Sequence, residues 1–190
     1  MKYTDISSEA VEKELHRERY KTRYRKTLRS TVFALITAAA AAVLVATLWL
    51  PVLQIYGSSM TPTLEEGQIV LSLKTGQMEK GDIVAFYYGN KVLLKRYIAG
   101  PGSWVDIKDD GTVLVDGKEL EEPYLTEKAF GICDLELPYQ VPDKSYFLIG
   151  DHRATSVDSR HSSVGCISEE EIIGKIVYRV WPLEVFGTVE

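Results

Sequence analysis

Apolar and polar positions change rhythm twice along this chain. Residues 8–28 (SEAVEKELHRERYKTRYRKTL) are polar with scattered apolar positions and read as a short polar helix lying at a membrane surface. From Thr31 to Leu50 the text becomes TVFALITAAAAAVLVATLWL, apolar on every side, which does not suit a half-exposed helix. Twenty such residues at 1.5 Å each cover about 30 Å of hydrocarbon, and the run stops at Pro51. The pattern predicts a membrane-spanning helix over residues 31–52. After Leu64 the period shortens to two. QIVLSL, DIVAFYY, KVLLKRYIA, SWVDIK, GTVLV, SYFLIG and IGKIVYRVW are short runs rich in Val, Ile, Tyr and Phe. Turn signals separate several of them: Tyr88-Gly89-Asn90, Asp109-Asp110-Gly111 and Asp116-Gly117. Ser168-Glu169-Glu170-Glu171 has capping-box spacing and predicts one short helical turn before Ile172. The expected fold is mainly β: an antiparallel β domain with one core, over residues 53–190, behind one N-terminal transmembrane helix.

Charge gives the chain a direction. Residues 1–30 hold nine Lys/Arg against five Asp/Glu, and no charged residue stands between Ser30 and Leu64. The remaining 13 Lys/Arg and 22 Asp/Glu make residues 51–190 strongly acidic. An acidic body argues against nucleic acid as a partner, because phosphate binding needs clustered cations. A cleavable leader is disfavoured, since 30 residues precede an apolar run longer than the usual 7–15. The positive-inside rule places residues 1–30, a basic segment attracted to anionic lipid, in the cytoplasm and residues 53–190 outside. Cys133 and Cys166 both fall in that outer part, where a disulfide is permitted but not fixed by two positions alone. With three histidines and no ligand spacing, a metal site is not expected.

Chemistry concentrates just past the span, at Gly57-Ser58-Ser59-Met60-Thr61-Pro62-Thr63-Leu64. A serine becomes a nucleophile only when a neighbour takes its proton. His16 lies across the membrane, which leaves His152 and His161 as imidazole candidates. The other candidate base is Lys95. In Val92-Leu93-Leu94-Lys95-Arg96-Tyr97-Ile98 a period of two puts Lys95 with Leu93 and Tyr97, and Arg96 on the opposite face. An inward-facing lysine loses water, and desolvation lowers an ammonium pKa. Moving it from about 10.4 to about 8 takes roughly 3 kcal/mol, within what a folded core imposes.

Four segments carry a resemblance. Ser59-Met60-Thr61-Pro62-Thr63-Leu64 resembles the S-M-x-P-T-L box of bacterial type I signal peptidases. Lys80-Gly81-Asp82-Ile83-Val84 is similar to that family's G-D-I/V-V strand, and Lys95-Arg96-Tyr97-Ile98-Ala99-Gly100-Pro101-Gly102 to its lysine box. Gly150-Asp151-His152-Arg153-Ala154-Thr155-Ser156-Val157-Asp158-Ser159-Arg160 resembles its last box, G-D-N-R-x-x-S-x-D-S-R. The resemblance implies a Ser-Lys dyad protease with a largely β fold, Ser59 as nucleophile and Lys95 as general base. It implies that Ser156 orients the lysine amine, that Asp158 and Arg160 pair beside the site, and that Asp151 and Arg96 support it. The partners it implies are the signal peptides of secreted preproteins, cleaved after small residues at −1 and −3, and the lipid bilayer beside the secretion translocon. No metal or organic cofactor is called for. The apolar segment Leu53–Tyr56 is expected to keep the site at the lipid surface.

Three departures from the boxes bear on this expectation. His152 stands where the family shows asparagine, Ser103 follows the Pro-Gly where it shows aspartate, and Gly57 replaces a serine that some members use in the oxyanion hole. The hole then rests on backbone N–H groups at Ser59, Gly57 and Ser58. Three other readings remain open. One is a catalytically idle relative that assembles surface proteins; another is a Ser-His peptidase. The third, a self-cleaving repressor, lacks the DNA-binding domain it needs in front.

Overall fold

The structure is a computed structural model that describes residues 8–74 and 78–189. Its first element, α1, runs unbroken from Ser8 to Trp49. The polar and apolar stretches are therefore one helix, not a short surface helix followed by a separate span. Neither Gly nor Pro occurs between those residues to break it, and Pro51 supplies the stop. The helix ends three residues short of the expected boundary, because Val52 already opens the first strand. Among the described residues α1 is the one helix long and apolar enough to cross a bilayer, consistent with a membrane anchor.

From Thr47 onward the chain forms a separate compact unit made of β-strands. The strands are β1 (Val52–Gln54), β2 (Ile69–Leu73), β3 (Ile83–Tyr88), β4 (Lys91–Ala99), β5 (Trp104–Ile107) and β6 (Val113–Val115). They continue with β7 (Lys118–Glu119), β8 (Tyr139–Gln140), β9 (Ser145–Ile149), β10 (Ile167–Ser168), β11 (Ile172–Trp181) and β12 (Gly187–Thr188). Two sheets result, all of whose pairs are antiparallel. The larger has the order β1-β2-β11-β3-β4-β9-β10 with β12 added to β11, and the smaller the order β7-β6-β5-β8. Each of the seven apolar runs became a strand. The five missed strands are two or three residues long, too short to show a period. The capping box forms as expected: Ser168 Oγ accepts from Glu170 N–H, and Glu171 accepts from Ser168 N–H, around a single 3-10 turn.

The interior differs from the single core expected. Ile98, Ala99, Phe147 and Ile149 of the larger sheet pack with Val105, Ile107, Val113 and Val115 of the smaller, and this cluster joins the two sheets. A second cluster gathers Ile55, Met60, Leu64, Val70, Ile83, Ala85 and Ile176. The third is small, built on Phe86, Leu148 and Ile167. Ile55, with Leu53 packed beside it, faces the second cluster rather than lipid, whereas Val52 and Tyr56 stay exposed. β3 and β4 are covered on both faces over much of their length, so the alternation that separates Lys95 from Arg96 does not expose either; both are buried. Cys133 and Cys166 are free thiols. Phe147, fully buried where the two sheets meet, tests this division. Phe147→Ala is expected to cost about 3–5 kcal/mol, read as a fall in Tm of the full chain in detergent.

Candidate active site

Ser59 stands on the loop between β1 and β2, four residues after the buried Ile55. Met60 and Leu64 plug that loop into the second cluster, and Leu64 N–H closes on Met60 C=O at 2.9 Å. The plug fixes the loop and leaves Ser59 half-exposed. Gly57 has φ +81°, a left-handed conformation that glycine adopts without strain, and it turns the chain away from β1. On the facing side Lys95 sits mid-strand in β4, opposite Val84 of β3. Its Nζ donates to Ser59 Oγ at 2.6 Å, and only 3% of the residue meets solvent.

Three guanidinium–carboxylate pairs are buried nearby, each at most 1% exposed. Arg96 grips Asp151 with Nε at 2.9 Å and Nη2 at 2.7 Å, and Thr63 Oγ1 donates to the same carboxylate at 2.6 Å. Arg160 grips Asp158 with Nε at 2.8 Å and Nη2 at 2.9 Å, while Gly150 N–H donates to Asp158 Oδ2 at 3.0 Å. Arg153 pairs with Glu122, its Nη1 at 3.1 Å from Oε2 and its Nη2 on Oε1. Forked geometry satisfies several donors of each guanidinium at once, which is what makes a buried pair tolerable. Each of these three arginines thus has its own acid. Lys95 has none within ion-pair distance among the described residues; its recorded partner is a neutral hydroxyl.

That difference sets the amine's protonation. Burial pushes the Lys95 pKa down from its ordinary value to about 8, opposed by the field of Asp158 and helped by that of Arg160. Asp158 and Arg160 offset one another, so desolvation prevails.

Of the residues singled out in the sequence, Ser59, Lys95, Arg96, Asp151, Asp158, Arg160 and Ser156 form one contiguous neighbourhood. Ser156 is buried against the backbone of Gly150, where a Cβ would come 2.1 Å from Ser156 Oγ and 2.6 Å from Ser59 C=O. Its hydroxyl makes no hydrogen bond among the described residues, so the bond to the lysine amine that the resemblance implies is not formed here. Gly57 and Ser58 are exposed. The backbone N–H of Ser59 has no acceptor among the described residues, as an oxyanion donor requires. Neither outer histidine bonds Ser59 Oγ. His152 Nδ1 lies 2.7 Å from Thr155 Oγ1 and its backbone N–H donates to Ser59 C=O at 3.1 Å; His161 Nδ1 lies 2.7 Å from Ser163 Oγ. Sequence reasoning missed Thr63, Glu122, Tyr124 and the role of Arg153. No motif marked Glu122 or Tyr124, and the boxes' own aspartates, Asp82, Asp151 and Asp158, matched Arg96, Arg153 and Arg160 in number; the structure gives Asp82 to Lys175, and Arg153 takes Glu122 instead.

Residues 28–181 match the family described as signal peptidase, peptidase S26. The chain belongs to that family. It is accordingly a serine peptidase. Signal peptidase IB of Staphylococcus aureus (strain Mu50) is 37% identical over 152 residues, covering 70% of this chain and 78% of that protein. Signal peptidase I of Bacillus caldolyticus is 35% identical over 166 residues, covering 77% and 90%. A crystal structure of a signal peptidase I from Enterococcus faecalis aligns with a TM-score of 0.45 and 27% identity, over 52% of this chain and 96% of that one.

The paired network makes its own prediction. Asp158→Asn strands the buried Arg160 guanidinium, and loss of one partner of a buried pair is expected to cost about 3–5 kcal/mol. Thermal unfolding of the full-length variant in detergent measures it; a Tm equal to wild type contradicts the pairing.

Proposed function

We propose that this chain is a membrane-bound serine endopeptidase that removes N-terminal signal peptides from exported preproteins, with Ser59 as nucleophile and Lys95 as general base. One observation carries the reading: a buried amine, without a carboxylate of its own, 2.6 Å from a serine hydroxyl. Uncharged, Lys95 Nζ accepts the proton of Ser59 Oγ as the oxygen attacks the scissile carbonyl. The oxyanion that forms meets the free N–H of Ser59. The tetrahedral intermediate collapses, the C–N bond breaks, and the ammonium of Lys95 returns its proton to the leaving amine. The first residue of the mature protein departs with a free N-terminus, and the signal peptide stays as an ester on Ser59. Lys95 then takes a proton from water as the oxygen attacks the ester carbonyl. The bond from the acyl carbon to Ser59 Oγ breaks, the signal peptide leaves with a free carboxyl terminus, and the Lys95 ammonium returns the proton to the serine oxygen.

Two further features support the substrate class. Met60 and Leu64 of the serine loop share a buried apolar cluster with Leu94, the strand neighbour of Lys95. A wall of that kind suits small apolar side chains at −1 and −3 better than charged ones. Residues 31–50 form the span in this reading. The basic flank places the N-terminus in the cytoplasm and the β unit outside, at the lipid surface beside the translocon, where preproteins emerge.

Three measurements test it. Ser59→Ala and Lys95→Ala are each expected to abolish cleavage of a preprotein, whereas His152→Ala and His161→Ala retain wild-type rates within a few-fold; the reverse pattern assigns the base to histidine. The rate on an Ala-x-Ala peptide is expected to fall as pH drops through about 8, because only the uncharged amine accepts a proton. Protease added outside intact spheroplasts is expected to digest residues 60–190, and protection of that region refutes the orientation.

A further inference from the structure

Between β7 and β8 the chain leaves the smaller sheet and runs as a strap, residues 120–138, with no strand or helix of its own. Leu120, Phe130, Leu135 and Leu137 tie it to the cluster that joins the two sheets. The strap supplies one group to each of the three buried guanidiniums. Glu122 is the acid of Arg153. Phe130 C=O accepts from Arg160 Nη1 at 2.8 Å. The Tyr124 ring lies over Arg96, with Cζ 3.7 Å from the ring centroid, and its hydroxyl donates to Glu122 at 2.9 Å. Burial and the neighbouring Glu122 carboxylate push the Tyr124 pKa up, so that hydroxyl remains a donor.

Nothing in the dyad chemistry uses Tyr124, and it bonds neither Ser59 nor Lys95. Its ring nevertheless covers a face of the ion pair belonging to the residue next to Lys95. We propose that Tyr124 is a positioning residue for Lys95, sealing the Arg96–Asp151 pair from water so that the two charges neutralise one another and the amine across the strand stays dry. A guanidinium under an aromatic face is attracted to it and desolvated by it. Opening that face admits water, loosens the grip of Arg96 on Asp151 and leaves more of the carboxylate's field for the ammonium form of Lys95. The charged groups around Lys95 are then Asp151, Asp158 and Arg160 from the loop after β9, and Arg96 on its own strand. Beyond them stand Glu122 of the strap, paired with Arg153 of the loop after β9, and the Lys175–Asp82 pair spanning β11 and the turn before β3.

The inference rests on Lys95 being the base. The experiment is the pH dependence of kcat/KM on an Ala-x-Ala peptide, with the full chain in detergent, for Tyr124→Leu, Tyr124→Met and Tyr124→Phe. Leu and Met remove the ring face. Their acid limb is expected to move up by about half to one pH unit, a loss of roughly 3–10-fold at neutral pH that vanishes above the limb. Phe keeps the ring and is expected to keep the wild-type limb. A loss by the same factor at every pH, or an unmoved limb in Leu and Met, overturns the proposal. A displaced limb in Phe, the variant least disturbing to the fold, overturns it as well. Activity retained in Lys95→Ala overturns the dyad reading itself. An inactive Lys95→Ala together with an unmoved limb in Tyr124→Leu removes only the role of Tyr124.

Discussion

A buried amine keeps or loses its proton according to whether an acid stands beside it, and the site is organised around that fact. Four cationic side chains are buried close together: Lys95, Arg96, Arg153 and Arg160. Three carboxylates are buried with them, and each is taken by an arginine in a forked or two-pronged grip. Guanidinium cannot give up its charge, whereas an ammonium can. The arithmetic therefore falls on Lys95. Had one aspartate turned to it, the pair would hold the proton on nitrogen and the serine would face an ammonium.

The surrounding architecture serves this division. Lys95 and Arg96 are neighbours on one strand and point to opposite faces, so the amine and the guanidinium meet different environments within a few ångströms. Asp151 and Asp158 arrive on one loop after β9, and that loop closes on Ser59 through the His152 N–H bond to its carbonyl. Gly150 makes the approach possible, because a side chain there would collide with both Ser156 and Ser59. The third acid arrives on the strap that connects two strands of the smaller sheet. Glu122 and Tyr124 tie the smaller sheet to the chemistry of the larger one, which gives the second sheet a task beyond covering apolar surface.

The proposed reaction asks for no charge that the fold does not hold in place. The amine hydrogen-bonds the hydroxyl, the serine N–H is free for the oxyanion, and the apolar cluster under the serine loop excludes water from one side. Electrostatic groups set in advance and kept from solvent act more strongly than the same groups in water. The serine is half-exposed while the lysine beside it is buried, so the hydroxyl meets solvent and the amine does not.

Seven strands, the capping turn, the apolar helix and its end near Pro51 were legible in the linear text, because each depends on local period or on backbone chemistry. Ser59 and Lys95 were legible too, as members of boxes with fixed spacing. The unbroken join of the polar and apolar stretches into one helix was readable from the lack of Gly and Pro, yet the change of polarity masked it. The three-part division of the interior and the burial of both Lys95 and Arg96 were not legible, because they depend on which layers cover a strand's two faces. Glu122 and Tyr124 lie in a loop with no motif, some 30 residues from Arg96 and Arg153, and acquire meaning only when the strap folds across them. Residue types set which charges could exist; the closure of the strap and the box loop in three dimensions paired the three buried arginines and left Lys95, among these four buried cations, without an acid.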